Sequence, residues 1–298
     1  MYRMWMKSGM NKILIKTFVV LSLFLIGTAY LRSQAQTSAP PTPPAKESAP
    51  PPHPESISIT GTGPRPLSQA LETLRLKYDG AVSYEDPQYL SAKDVKEDPS
   101  AKENLVPAGT PFTLQIPPVQ SPTDAVAEEK SIQSIVDAYN HSGNPGQFEI
   151  RKTEGRVITV VGVAARDDKG AFARQKPLLD SLVTLPEKDR TITETLDLLS
   201  ETLTKESHIP VIQGISPRSL VDQPHVKLGG KLPARSVLAQ ALAASPRPLY
   251  WQLLFDPNSK GYILNVHSVH ITKAPAPAPA PKINKPATPD AHPSMSNP

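Results

Sequence analysis

Hydrophobic positions along residues 182–271 switch repeatedly between two periods. Leu182-Val183-Thr184-Leu185 is short and β-prone, and predicts a strand. Thr191-Ile192-Thr193-Glu194 has the form of a capping box, in which the threonine hydroxyl accepts the third helical amide and the glutamate reaches back to the cap amide. Ile192, Leu196, Leu199 and Leu203 follow at three- and four-residue steps, one apolar stripe of an α-helix. Residues 208–212 predict a short strand that Pro210 confines to an edge or a strand start. His225-Val226-Lys227-Leu228 alternates as a half-buried strand, with Gly229-Gly230 as its stop. Pro233 opens a second helix, where Val237, Leu238, Ala241 and Leu242 share a face. Residues 250–255 and 262–271 predict two strands joined by the turn-rich 256–261. The order is βαββαββ.

Residues 56–163 repeat that order. Residues 56–60 alternate as a strand, and Pro66 opens a helix with Leu67, Ala70, Leu71, Leu74 and Tyr78 on one face. Residues 81–84 predict a strand, and Phe112, Leu114 and Ile116 alternate in another. A helix carrying Ile132, Ile135, Val136 and Tyr139 ends at Gly143-Asn144-Pro145-Gly146, and residues 147–151 and 156–163 form a hairpin. The same order at two places argues for a divergent duplication. The fold class is therefore α+β: two tandem βαββαββ modules over residues 56–165 and 177–272. The boundary falls at 165–176, where Asp167-Asp168-Lys169-Gly170 breaks the strand pattern, and each module is expected to fold alone.

The run from Val226 through Gly229-Gly230-Lys231-Leu232-Pro233-Ala234-Arg235 to Leu242, followed by 251–255 and 262–266, resembles the short N-terminal domain of secretins and TonB-dependent receptors. Arg65-Pro66-Leu67-Ser68-Gln69-Ala70-Leu71 is similar to that domain's first helix. The resemblance covers most of residues 56–271. It implies a periplasmic module that binds another envelope protein and catalyses nothing. No secretin ring or outer-membrane barrel follows, and an insertion at residues 86–110 lengthens the first module.

Composition sets off the flanks. Of 35 prolines, eight fall within residues 40–54 and eight within 275–298. Segments this rich in proline and poor in large apolar side chains cannot bury enough surface to fold. Residues 36–55 are read as a linker and 273–298 as a disordered tail. At the front, Lys12 and Lys16 lead into an apolar stretch that runs to Leu31, and Ser33-Gln34-Ala35 offers the small residues a signal-peptide cleavage site requires. Residues 1–35 read as a signal peptide cleaved after Ala35, which places the protein in the periplasm or cell envelope. With residues 13–31 retained, the same segment is an inner-membrane anchor instead.

The net charge of +4 points to nucleic acid only until it is divided along the chain. Arg3, Lys7, Lys12, Lys16 and Arg32 lie in the targeting segment, and without them the remainder carries −1. A phosphate-binding surface needs a clustered basic excess, so nucleic acid is not an expected partner. Cysteine is absent, which removes disulfides, a thiol nucleophile and thiolate metal sites together.

The sequence carries neither a nucleophile elbow nor a phosphate-binding glycine loop, and Gly61-Thr62-Gly63-Pro64 reads as a turn. His267 and His270 stand three apart on one strand and so face opposite sides. His208 and His225 border neighbouring strands, read as a solvated or hydrogen-bonded pair. Glu128-Glu129 and Asp167-Asp168 are splayed neighbours, read as solvated surface. No catalytic residue, metal ligand or cofactor site is assigned. The partner-binding candidates are aromatic: Tyr250, Trp251 and Tyr262. Alternation puts Trp251 with Leu253 and Phe255 in the core and leaves Tyr250 as the exposed contact. The reading is a non-catalytic exported envelope protein acting as an interaction or scaffold module, associated with a secretion or uptake system. The alternatives are an inner-membrane-anchored scaffold and an envelope hydrolase with an unrecognised site.

Overall fold

The structure, a computed structural model, describes residues 56–78, 80–118, 124–152, 158–217, 220 and 225–269. The targeting segment, the proline-rich linker, the tail from 273, the turn at 153–157 and His270 lie outside the described residues. No helix among the described residues is long and apolar enough to cross a membrane.

The first module runs β1 (Ile57–Gly61), α1 (Pro66–Tyr78), β2 (Val82–Glu85), β3 (Val95–Asp98), β4 (Ala101–Pro107), β5 (Phe112–Ile116), α2 (Ala125–His141), β6 (Gln147–Lys152) and β7 (Ile158–Arg166). The second follows β8 (Phe172–Arg174) and a 3-10 turn (Leu178–Asp180). It runs β9 (Leu182–Thr191), α3 (Ile192–Ser207), β10 (Val211–Gln213), β11 (His225–Pro233), α4 (Ala234–Ala243), β12 (Leu249–Asp256) and β13 (Gly261–Ser268). The fold is α+β, with the βαββαββ order present twice. Among the described residues only the insertion at 86–110, which carries the β3–β4 hairpin, interrupts it.

Pairing repeats as well as order. In the first module β1 pairs antiparallel with β5, β2 parallel with β7, and β6 antiparallel with β7. In the second β9 pairs antiparallel with β11, β10 parallel with β13, and β12 antiparallel with β13. Each module is thus a two-stranded ribbon plus a three-stranded sheet.

The sequence order does not reveal that the two three-stranded sheets are one. β12 pairs in parallel with β2, Gln252 opposite Tyr84 and Leu253 opposite Glu85. The result is a single sheet in the order β10-β13-β12-β2-β7-β6, with β8 on β7. The helices lie on opposite faces of it. Val82 and Tyr84 join the first core with α1 and α2, whereas Trp251, Leu253 and Phe255 join the second core with α3 and α4. The second core also takes in Tyr89 from the insertion and Ala165 from β7. Residues 165–176, read as an inter-module boundary, form part of a hairpin in which Ala164, Ala165 and Arg166 pair with β8.

Local signals explain the individual elements. The capping box at Thr191 and Glu194 is formed in full. α2 is capped by Asp124, whose carboxylate accepts the amides of Val126 and Ala127. Gly229-Gly230, expected to stop the strand, instead sits inside β11 at a bulge. Gly230 adopts φ +91, and a Cβ on Gly229 would come within 2.3 Å of the Glu187 backbone, so the glycines let β11 kink closely past β9.

Candidate functional site

The three aromatic candidates are all buried: Tyr250 is 5 % exposed, Trp251 3 % and Tyr262 3 %. Strand alternation places Trp251 correctly, in the second core with Leu253 and Phe255. Tyr250 does face the other way, but that face is not free. The α1 helix of the first module covers it: the Tyr250 hydroxyl donates to Glu72 at 3.3 Å, and the Arg75 guanidinium lies 4.7 Å from the ring centre. His267 stacks on the same ring with centroids 5.0 Å apart. Tyr262 packs edge-on against Phe255 and donates to the Asp86 carbonyl at 3.3 Å. The expected exposed contact at Tyr250 is therefore corrected. The aromatic hairpin does meet a partner surface, and that surface is the chain's own first module.

This joint gathers buried charge that the sequence reading passed over. Glu85 ends β2 and Asp86 follows it, and their side chains turn apart. Glu85, fully buried, accepts from Arg235 of α4 at 2.5 Å and from the Leu179 amide at 3.0 Å. Burial pushes its carboxyl above the ordinary glutamate value, an effect Arg235 only partly offsets. Arg235 also reaches Asp180 at 3.1 Å, and Asp180 reaches Arg151 at 2.5 Å. Burial would raise the Asp180 carboxyl, but these two arginines hold it below its usual value.

On the other side Asp86, 1 % exposed, takes Arg65 at 2.7 Å, the hydroxyls of Tyr84 and Tyr89 at 2.6 and 3.1 Å, and the Phe255 amide at 3.1 Å. Burial works against the charge of Arg65, but Asp86 outweighs it and holds the guanidinium above its ordinary value. A third pair, Arg166 with fully buried Asp94 at 2.6 Å, ties β7 to the insertion. Each buried carboxylate thus has a cation and further hydrogen bonds, the condition under which burying an ion is tolerated.

A groove of about 790 Å³ opens beside the joint, lined by Arg151, Asp180, Leu232, Arg235, Ser236 and Gln240. Its arginines are already committed to Asp180, Glu85 and Glu149, so the groove presents balanced pairs rather than an unopposed charge. Among the described residues no group of three His, Asp or Glu side chains is placed to hold a metal. His208 is the left-handed C-cap of α3 at φ 58, and His225 lies 3.5 Å from Asp189, so each histidine has its own local role. Of the adjacent acids, Glu129 bridges to Lys152 at 2.9 Å, while burial pushes the Glu128 carboxyl up, a correction to its reading as solvated surface.

Among the described residues no strand pairs with the sheet's outer edge at β10. Ile212 is 57 % exposed and Ile215, just beyond the strand, 66 %. Pro210 accepts from Tyr262 at 2.7 Å and Gly214 donates to Leu264 at 2.9 Å, so the even-numbered residues turn their peptide groups toward β13. The odd-numbered Val211 and Gln213 turn theirs outward. The Val211 amide is held by Thr204 at 2.9 Å, which leaves the Val211 carbonyl and the Gln213 peptide groups along the rim. No family model matches this chain, and no curated protein or solved structure matches it.

Proposed function

We propose that this protein is a non-catalytic, exported envelope protein that works as an interaction or scaffold module, binding a protein partner through the β10 edge of its sheet. The observation that carries the reading is that edge: outward peptide groups beside two isoleucines more than half exposed. An unprotected edge strand with apolar side chains is the template on which an added strand gains both hydrogen bonds and buried surface. The buried ionic groups support the same reading, because they are engaged with one another in holding the two modules together. Export rests on the basic, apolar N-terminal segment and the Ser33-Gln34-Ala35 spacing.

A photo-crosslinking residue placed at Ile212 or Ile215 in cells tests the binding surface, with the exposed Leu182 as control. A discrete protein adduct from 212 and 215 and not from 182 is expected. Absence of any adduct from the β10 edge overturns the reading. N-terminal sequencing of the mature chain tests export: a start at Gln36 agrees, and retention of Met1 or Met10 in the membrane fraction selects the anchored scaffold instead.

A further inference from the structure

The two modules are related by a definite operation. Across the sheet they follow the same lateral order, second strand, fifth strand, fourth strand: β10-β13-β12 and then β2-β7-β6. Corresponding strands run in opposite directions, because β10 is parallel to β13, β13 antiparallel to β12, and β12 parallel to β2. The helices change face as well. Reversed strands, exchanged faces and an unchanged lateral order together define a half-turn about the axis across the sheet, with a shift of three strands, about 14 Å. Such a screw does not close on itself.

In the joint between modules, the fourth strand of one module docks on the second strand of the other. The same two strand types are the ones left at the outer rims: β10 is a second strand and β6 a fourth. Their backbones are also oriented alike. At the joint Leu253, a core-facing residue of β12, turns its peptide groups to β2, where its carbonyl accepts the Asp86 amide at 2.9 Å. On β6 the core-facing residues are Phe148 and Ile150. Phe148 turns outward and is held by the Asn140 side chain, which accepts its amide at 2.9 Å and donates to its carbonyl at 2.8 Å. Ile150, two residues on, therefore also turns its peptide groups outward. On the β10 rim the Val211 carbonyl and Gln213 amide stand where the Tyr84 carbonyl and Asp86 amide stand at the joint.

From this repetition we infer that the β10 edge takes the β6 edge of a second copy of this chain, in parallel with Ile212 opposite Ile150, so that copies add head to tail into one growing sheet. The Ile150 amide then donates to the Val211 carbonyl, and the Gln213 amide donates to the Ile150 carbonyl. Ile212 takes the place of Glu85, whose side chain points toward the helices of the module that supplies the fourth strand. At the outer contact an apolar side chain, 57 % exposed in the single copy, replaces a carboxylate and needs no buried cation opposite it. The inference rests on the reading of β10 as a binding edge and adds the identity of its partner.

Because the chain has no cysteine, introduced thiols report the contact without background. Two differently tagged full chains, one with Ile150→Cys and one with Ile212→Cys, should form a mixed disulfide on mild oxidation, and a chain carrying both should form a ladder of multimers. Gln213→Pro, which removes the outward amide but leaves the bonds from β10 to β13, should abolish the ladder. The weight-average mass of the unsubstituted full chain should rise with concentration, and that of Gln213→Pro should stay monomeric. A monomer at all concentrations overturns the inference, as does an Ile212→Cys chain that crosslinks only to itself, the mark of a closed symmetric dimer. If the photo-adduct at Ile212 contains a different protein, the interaction reading stands and the self-assembly inference fails. If there is no adduct at all, both fail.

Discussion

Arg235→Ala is the most informative single perturbation of the joint. It removes the cation that faces Glu85 at 2.5 Å and leaves that carboxylate, fully buried, with only the Leu179 amide. Asp180 keeps Arg151, so the damage centres on Glu85. Stranding one partner of a buried ion pair typically costs about 3–5 kcal/mol, more than the pair itself contributes. With a urea slope of roughly 2–3 kcal/mol/M for a folded region of this size, the midpoint should fall by about 1–2 M. Adding Glu85→Gln should recover much of the loss, since a neutral amide keeps an acceptor for Leu179 without a charge to desolvate. A coupling energy of about 1–3 kcal/mol is expected from the cycle.

Acidity gives a second readout. A folded carboxyl raised above the ordinary glutamate value of 4.5 binds its proton more tightly than the unfolded chain does. Stability therefore rises as pH falls through the folded value, and the Arg235→Ala deficit should shrink between pH 7 and pH 5. Trp251 emission follows unfolding of the second core, with Trp5→Phe removing the other tryptophan, and far-ultraviolet circular dichroism follows the whole. A loss below about 1 kcal/mol that does not change with pH would refute the stranded-charge argument. Two separated transitions by the two probes would refute the idea that one sheet makes the modules unfold together.

Four further outcomes follow from named contacts. Trp251, 3 % exposed, should emit at short wavelength and shift red on unfolding, and Trp251→Ala should cost about 3–5 kcal/mol; solvent-like native emission would contradict its place in the core. Gly229→Ala sets a Cβ within 2.3 Å of the Glu187 backbone and should cost about 1–3 kcal/mol in thermal melts, with no loss refuting the close β11–β9 approach. The Arg75 hydrogen bond holds the Glu72 carboxyl below 4.5, so its stabilisation is present above that pH and lost as pH falls through the folded value; Glu72→Gln should flatten this part of the acid melting profile. Asn140→Ala frees both Phe148 backbone groups on the β6 rim and should cost about 1–2 kcal/mol in urea melts, with an unchanged midpoint refuting the clamp.

What the sequence made legible was what a local period encodes. The stripe from Ile192 to Leu203 and the cap at Thr191 could be read because the residues that make a helix and its cap are neighbours. The alternation of Trp251, Leu253 and Phe255 gave the core face of β12 for the same reason. The other face of that strand was not legible. Tyr250, Gln252 and Leu254 form a mixed series that looks half-solvated, yet Tyr250 and Gln252 contact Glu72 and Ser68 of α1, nearly two hundred residues away in the chain. Glu85 and Arg235 pair across 150 residues, and nothing in their immediate neighbours marks either one as buried. The bulge in β11 was misread because a Gly-Gly pair suits a strand end and a kink equally well.

The way the modules are joined also explains where the exposed apolar residues fall. Each module covers one face of its three strands with its own helices and leaves the opposite face bare. Setting the second module a half-turn round brings its helices against the bare face of the first, and the reverse, but only near the joint. β2 is consequently buried at all four positions, including Ser83 and Glu85. β10, at the far rim, is buried only at Val211, on its own core side. The in-chain pairing satisfies two of the four rims that two modules possess and displaces the same incomplete surface outward to β10 and β6. At β6 charged and polar groups occupy that surface: Arg151 pairs with both Glu149 and Asp180, and Asn140 blocks one position. At β10 it is isoleucine. A second copy presenting β6 is the surface that would complete it by the contact geometry this chain already uses once.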